Sequence, residues 1–317
     1  MCKLIVGWLI SLPATAPNPS EGAPGQARGR VVDYLRLTKP RSVLLLLLAA
    51  LVGMVVSRPE PLPLGLLALT MLGGALAAGG ANALNCWIDR DVDRLMARTA
   101  RRPLPSGRIA PERALAFGLT LCVLAVALLA SRVNWLSALL AAAGAAYYVV
   151  VYTWWLKRAS HWNVVVGGGA GALPLLVGWT AATGGLSLWP LWLGAIVVCW
   201  TPPHFWALAL VRREEYALAG VPMMPVVRGE EETRRQILLY SISVVALTVL
   251  LVPAGFMGIG FLPVALVLGG LLVYLAARLL RRGTDLDAVR MYRYSVVYLA
   301  SLFLSMMVDR LGWAPTW

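Results

Sequence analysis

The sequence predicts an all-α integral membrane protein, a bundle of about nine transmembrane helices with its N-terminus in the cytoplasm and its C-terminus outside. Three observations carry this. First, 59% of the 317 residues are hydrophobic and the mean hydropathy is +0.73, far more apolar surface than a soluble core of this size needs. Second, the apolar runs are long enough to span a bilayer: roughly 40–57, 64–86, 114–131, 135–155, 163–182, 188–210, 236–254, 260–280 and 293–311. Third, of 28 basic residues only Arg58, Arg132 and Arg310 fall after odd-numbered spans or at the C-terminus. The rest mark the N-terminal segment and the loops after spans 2, 4, 6 and 8 as cytoplasmic.

The first 32 residues differ from the rest of the chain. Lys3, the apolar stretch Leu4–Leu12 and Ala14-Thr15-Ala16 resemble a signal peptide, and a Pro-, Gly- and Ala-rich segment comes next. Cleavage and export there would carry Arg28–Arg41 outside, against the charge pattern. Residues 1–32 are therefore read as a disordered or dispensable cytoplasmic extension, or an over-long start, before a transmembrane domain over 33–317.

The first span opens at LTKPR, where Pro40 suits a first helical turn and Lys39 and Arg41 mark the cytoplasmic boundary. Spans 2 and 5 are rich in small residues, Gly73, Gly74, Gly79 and Gly80 in one and Gly167, Gly168, Gly169 and Gly171 in the other. They predict close helix packing; a phosphate-cradling glycine loop would need a preceding strand.

Span 2 ends in NCWIDRDVDRLMARTARRPLPSGR, from Asn85 to Arg108. Asn85, Asp89 and Asp93 stand at i, i+4 and i+8 and share one helix face, while Asp91 falls opposite. An oxygen row of this kind can hold Mg²⁺, which takes the rest of its shell from water and substrate phosphates. Solvated Asp–Arg pairs at a helix end are the plainer alternative. Asn85 weighs against it, because an amide within an apolar run is costly without a partner. The arginines after it, Arg90, Arg94, Arg98, Arg101 and Arg102, suit an anionic substrate.

Two further segments carry polar chemistry on the same side. In YTWWLKRASHWN, Tyr152 to Asn163, Lys157 and Arg158 serve either topology or diphosphate binding. In WTPPHFWALALVRREEYALAGVPMMPVVRG, Pro202-Pro203 predicts a broken span, and His204 comes directly after it. Glu214 and Glu215 then emerge beside Arg212 and Arg213, able either to hold a second metal ion or to pair with those arginines. The charged loops after spans 2 and 6 lie four spans apart, which suggests a weak internal repeat. Cysteines 2, 86, 122 and 199 have no CxxC spacing and read as small buried hydrophobes.

Composition also excludes classes. Of 15 acidic residues only Glu60 and Asp309 fall on the outer side, and none sits in mid-span, which argues against an ion or proton transporter. The net charge of +13 points to topology and anionic lipid rather than nucleic acid.

With these blocks in place, the chain resembles the haem O synthase branch (protohaem IX farnesyltransferases) of the UbiA prenyltransferase superfamily. NALNCWIDRDVDRLMARTARRPLPSGRI matches the family's N-x-x-x-D-x-x-x-D segment. LTKPR, YTWWLKRxxxxN and PPHFWALAL…EEYALAGVPMMPVVRG match in order, over about residues 33–311. The resemblance implies nine helices around a central cavity and a plasma-membrane enzyme with its active site on the cytoplasmic side. It would transfer farnesyl from farnesyl diphosphate to a vinyl group of haem b, with Mg²⁺ as cofactor. It implies metal ligation by Asn85, Asp89, Asp93, Glu214 and Glu215, where Glu215 replaces an Asp usual in the haem branch. Asn85, Asp89, Asp93, Lys157 and Glu215 would be catalytic. Substrate contacts would come from Arg41, Arg94, Arg98, Arg102, Tyr152, Arg158, Asn163, His204 and Tyr216. The lipid bilayer, and a haem A synthase or oxidase assembly proteins, would be partners. The alternatives are a UbiA-type aromatic or quinone-precursor prenyltransferase and, from another class, a haem-binding membrane protein or transporter.

Overall fold

The computed structural model describes the backbone of residues 26–57 and 60–312, with side chains from residue 31 except at positions 58 and 59. Among the described residues every regular element is helical. α1 (Gln26–Leu37) leads into α2 (Pro40–Ser57), α3 (Leu64–Ile88) and the short α4 (Arg90–Leu95). Next are α5 (Pro111–Arg132), α6 (Trp135–Ala159) and α7 (Asn163–Thr183). Then come α8 (Leu188–Val211), short α9 (Arg213–Leu218) and α10 (Met224–Val227), and the long α11 (Gly229–Val249), α12 (Phe261–Arg282) and α13 (Asp285–Gly312). The extension expected over 1–32 lies mostly outside the described residues, as do Cys2 and Arg58; α1 crosses its border.

Among the described residues eight helices, α2, α3, α5, α6, α7, α8, α12 and α13, are long and apolar enough to cross a membrane. The run expected as a further span, 236–254, falls in α11, which starts earlier with GEEETRRQ and turns apolar only at Ile237. That charged half is helical because Glu230–Arg234, Glu231–Arg235 and Glu232–Gln236 pair one turn apart. Other helices also extend past their apolar runs. α13 begins at Asp285 instead of 293, after Thr284 Oγ1 accepts from Asp287 N at 3.1 Å as an N-cap.

The broken span expected at Pro202-Pro203 is a continuous helix, α8. Two prolines there remove the N–H groups that would reach the carbonyls of Val198 and Cys199. α8 survives because it is the most enclosed of the eight spans and packs on α7, α11 and α13. Thr201 Oγ1 also donates to Val197 O at 2.8 Å on this turn.

Small residues set the packing, as the sequence predicts. A Cβ on Gly178 of α7 would lie 1.8 Å from the Ala50 carbonyl of α2, so only glycine lets these backbones meet. α3 packs along α5, and the chain of contacts α8–α11–α12–α13 returns to α2. At the end of the bundle away from the charged loops, Phe256, Trp189 and Trp192 stack in series, Trp179 meets Phe256 at a tilt, and Arg310 lies over Phe256.

One irregularity positions the site. Residues Tyr147–Leu156 within α6 form a π-helix, whose bonds reach back five residues instead of four.

Candidate functional site

Asn85, Asp89 and Asp93 are all buried, with 3%, 1% and 4% of their surface exposed. α3 formally ends at Ile88, yet Asp89 N bonds Asn85 O at 2.9 Å and Asp93 N bonds Asp89 O at 2.7 Å. Helical pitch therefore continues through the junction, and the three side chains keep the common face that their spacing predicts. Asp91 points the other way and is exposed.

Cations from distant parts of the chain meet this row. Lys39 Nζ donates to Asn85 Oδ1 at 2.5 Å, Lys157 Nζ to Asp89 Oδ2 at 2.5 Å, and Arg102 Nη1 to Asp93 Oδ2 at 2.7 Å. Asn85 Nδ2 donates to Asp89 Oδ2 at 3.0 Å and to Thr153 Oγ1 at 2.9 Å. Asp89 Oδ1 is buried with no hydrogen-bond partner. An orphaned carboxylate oxygen beside a second carboxylate and an amide oxygen fits a divalent cation that draws its remaining ligands from water and phosphate. Among the described residues no group of three or more His, Cys, Asp or Glu is placed to hold a metal, so this set depends on the amide oxygen.

Lys39 and Thr153 are the residues the sequence reading missed. Lys39 reads as a boundary cation, but it holds a left-handed backbone, φ 51°, which turns the chain before Pro40. The signal for it was a cation directly before a helix-starting proline at the charged end. Thr153 gave no signal, because the π-helical register that places it is invisible to a 3.6-residue count.

Tyr152 stacks on Tyr148, ring centroids 5.6 Å apart, and stands within electrostatic range of both Asp89 and Tyr216. Gly167 makes room for its ring, since a Cβ there would lie 2.3 Å from Tyr152 Cδ2. Tyr216 and Arg212 from the second charged loop, and Arg98 from the first, are within electrostatic range of Tyr292. The two loops thus border one region.

Residues 46–305 match the model of the UbiA prenyltransferase family. The chain belongs to the UbiA prenyltransferase family. It is 52% identical over 284 residues to a protohaem IX farnesyltransferase of Symbiobacterium thermophilum, covering 89% of this chain and 95% of that relative. It is 50% identical over 306 residues to one of Roseiflexus castenholzii, covering 94% of this chain and 56% of the relative. The chain thus spans about half the length of the Roseiflexus proteins it matches. In fold it is similar to digeranylgeranylglyceryl phosphate synthase, with TM-score 0.76, 18% identity and coverage of 90% of this chain and all of that one. It is also similar to a UbiA homologue of Archaeoglobus fulgidus bound to DMAPP and Mg²⁺, with TM-score 0.66, 20% identity and coverage of 89% and 100%.

The second acidic segment of this UbiA chain is built differently. Glu215 pairs with Arg212 three residues away, and Glu214 is exposed. Arg213 is engaged by Glu230 at 2.9 Å and Asp285 at 3.0 Å. Arg158 turns outward, forking onto Asp91 at 2.7 and 2.8 Å and capping the Ile88 carbonyl at 2.9 Å. Its hydrogen bonds hold the Asp91 carboxyl down at about 2. Arg41, Arg94 and Arg98 are exposed at the charged end.

Two polar groups lie deeper. Asn163, at the start of α7, is fully buried, and neither amide atom has a partner. His204 is buried between the rings of Trp200 and Tyr292, 4.6 and 4.8 Å away. Its Nδ1 is 2.8 Å from Ser295 Oγ, whose hydrogen is committed to the Tyr292 carbonyl at 2.7 Å. With the Ser295 hydrogen on that carbonyl, Ser295 accepts from the Nδ1–H tautomer of His204, the tautomer that leaves a lone pair on Nε2.

Proposed function

We propose that this UbiA chain transfers the farnesyl group of farnesyl diphosphate to a vinyl group of haem b, with addition of water, making haem O for a terminal oxidase. The buried Asn85–Asp89–Asp93 row, ringed by Lys39, Lys157 and Arg102, is the observation that carries the reading. It is what a prenyl diphosphate needs, and chains about half identical to this one bear the protohaem IX farnesyltransferase name.

Asn85, Asp89 and Asp93 would hold Mg²⁺. When bound, it adds positive charge against the departing diphosphate. Lys39 and Lys157, which bond Asn85 and Asp89, would pass to the diphosphate oxygens, joined by Arg98 and Arg102. These cations stabilise negative charge as the allylic C–O bond breaks. The faces of Tyr148 and Tyr152 then border the farnesyl cation and exclude water until the vinyl carbon attacks. Water adds afterwards at the neighbouring carbon, giving a hydroxyethylfarnesyl side chain and releasing a proton. Glu215 and Glu214 would be at most an auxiliary metal site.

Haem b would lie against His204, whose Nε2 lone pair suits the iron while the Nδ1 bond to Ser295 fixes the ring. His204→Ala is expected to shift the Soret band of bound haem and weaken haem binding by about 10–100-fold, leaving farnesyl diphosphate binding unchanged; an unmoved Soret band would remove His204 from this role. The active side would be cytoplasmic and the membrane the plasma membrane, in keeping with the charge asymmetry. A haem A synthase or oxidase assembly proteins would receive the product.

The test is direct: purified chain, haem b, farnesyl diphosphate and Mg²⁺ should yield haem O. Haem b left unchanged, with prenylation of an aromatic quinone precursor instead, would move the reading to another UbiA branch.

A further inference from the structure

We propose that Thr153 is a positioning residue that fixes the amide of Asn85, and that the π-helical turn of α6 delivers it. The inference rests on the metal–diphosphate reading of the Asn85 row. Thr153 is fully buried. Its hydroxyl has one hydrogen, which goes to the Tyr148 carbonyl at 2.8 Å. Its oxygen therefore faces Asn85 as an acceptor, and Asn85 Nδ2 answers at 2.9 Å. Asp89 Oδ2 is a second acceptor for the same nitrogen, at 3.0 Å.

On the other side of the amide stands Lys39, 2.5 Å away, an ammonium that can only donate. Three neighbours thus agree on one orientation, nitrogen toward protein and oxygen toward the cation. A flipped amide would aim its donor at Lys39, and at any metal ion that shared the site. Outer partners of this kind orient metal ligands, and losing one costs about 10–100-fold in metal affinity.

The π-helix makes the contact. In an α-helix five residues turn about 500°, which leaves positions 148 and 153 about 140° apart around the axis. Here the Thr153 hydroxyl bonds Tyr148 O five residues back, within its own turn. Lys157, four residues further on, lands on Asp89. Thr153 and Lys157, four residues apart, share a face and so reach the same neighbour row.

The purified full chain, given farnesyl diphosphate but no haem, is titrated with Mn²⁺ as a paramagnetic stand-in for Mg²⁺. Thr153→Val keeps the shape and loses the acceptor. It is expected to raise half-saturating Mn²⁺ about tenfold and, in turnover assays, to lower kcat with KM for haem unchanged, while Thr153→Ser stays within about twofold. Asn85→Asp has no amide to orient, so adding Thr153→Val to it should cost no more than about twofold. Unchanged Mn²⁺ binding in Thr153→Val, or an equal loss in both backgrounds, overturns the proposal. A wild-type chain that shows this Thr153-dependent binding yet makes no haem O leaves it standing and overturns the reaction instead; absence of Mn²⁺ binding by the wild type overturns both.

Discussion

At the end of α3, Asp89 and Asp93 are 1% and 4% exposed; at the end of α8, Glu214 is exposed and Glu215 half-buried. Both long helices run into a six-residue helix that starts with Arg and carries two acids. The local plan repeats, but the cations come from different places. Lys157 is 68 residues from Asp89, on α6, and Lys39 is 46 from Asn85, in the turn before α2. Arg212 is three residues from Glu215, on the same turn. A tertiary cation can pass to a substrate while the fold holds the carboxylate in place, whereas a neighbouring pair satisfies itself. The difference teaches that the first end takes its lysines from remote parts of the fold while the second is paired within its own turn, which is why we propose the first as the diphosphate end.

The largest effect should come from breaking that asymmetry at its centre. Asp89→Asn is expected to lower kcat by about 10²–10³-fold, against less than about tenfold for Glu215→Gln, read as haem O formed per minute. Equal losses would mean the two ends share the chemistry.

Next is stability. Lys157→Met leaves Asp89 buried without its cation and should cost about 3 kcal/mol, seen as a lower unfolding temperature in detergent that Mg²⁺ partly restores. Arg212→Met breaks a half-exposed local pair and should cost about 1 kcal/mol or less.

The smallest effect concerns Asp91, whose carboxyl is held at about 2, chiefly by the hydrogen bond from Arg158, below its ordinary 3.8. Because the folded value is depressed, the pair's contribution is full above about pH 4 and fades as pH falls from 3.8 toward 2. Asp91→Asn should therefore lower the unfolding temperature slightly and by a constant amount between about pH 6 and 8. The gap should close below about pH 4.

Much of the bundle was legible because apolar length is a strong signal. Pro40 marked the start of α2 and the glycines marked close packing. Boundaries failed where charges were absorbed into helices, as in α11, whose pairs one turn apart cannot register as hydropathy. Pro202-Pro203 misled because the packing around α8 tolerates two lost hydrogen bonds. In the site, the Asn85–Asp89–Asp93 face came from spacing alone. Two of its partners did not, because Lys39 is placed by a left-handed backbone and Thr153 by a π-helical register. The fork of Arg158 onto Asp91 was not legible either, because the two lie 67 residues apart in the chain.

A structure of the chain with Mg²⁺ and a non-hydrolysable farnesyl thiodiphosphate would decide which acidic end holds the substrate. The diphosphate is expected over Asn85, Asp89 and Asp93, with the Lys39 and Lys157 ammonium groups moved from Asn85 and Asp89 onto its oxygens. A diphosphate seated on Glu214 and Glu215, with Lys39 and Lys157 left where they are now, would contradict it.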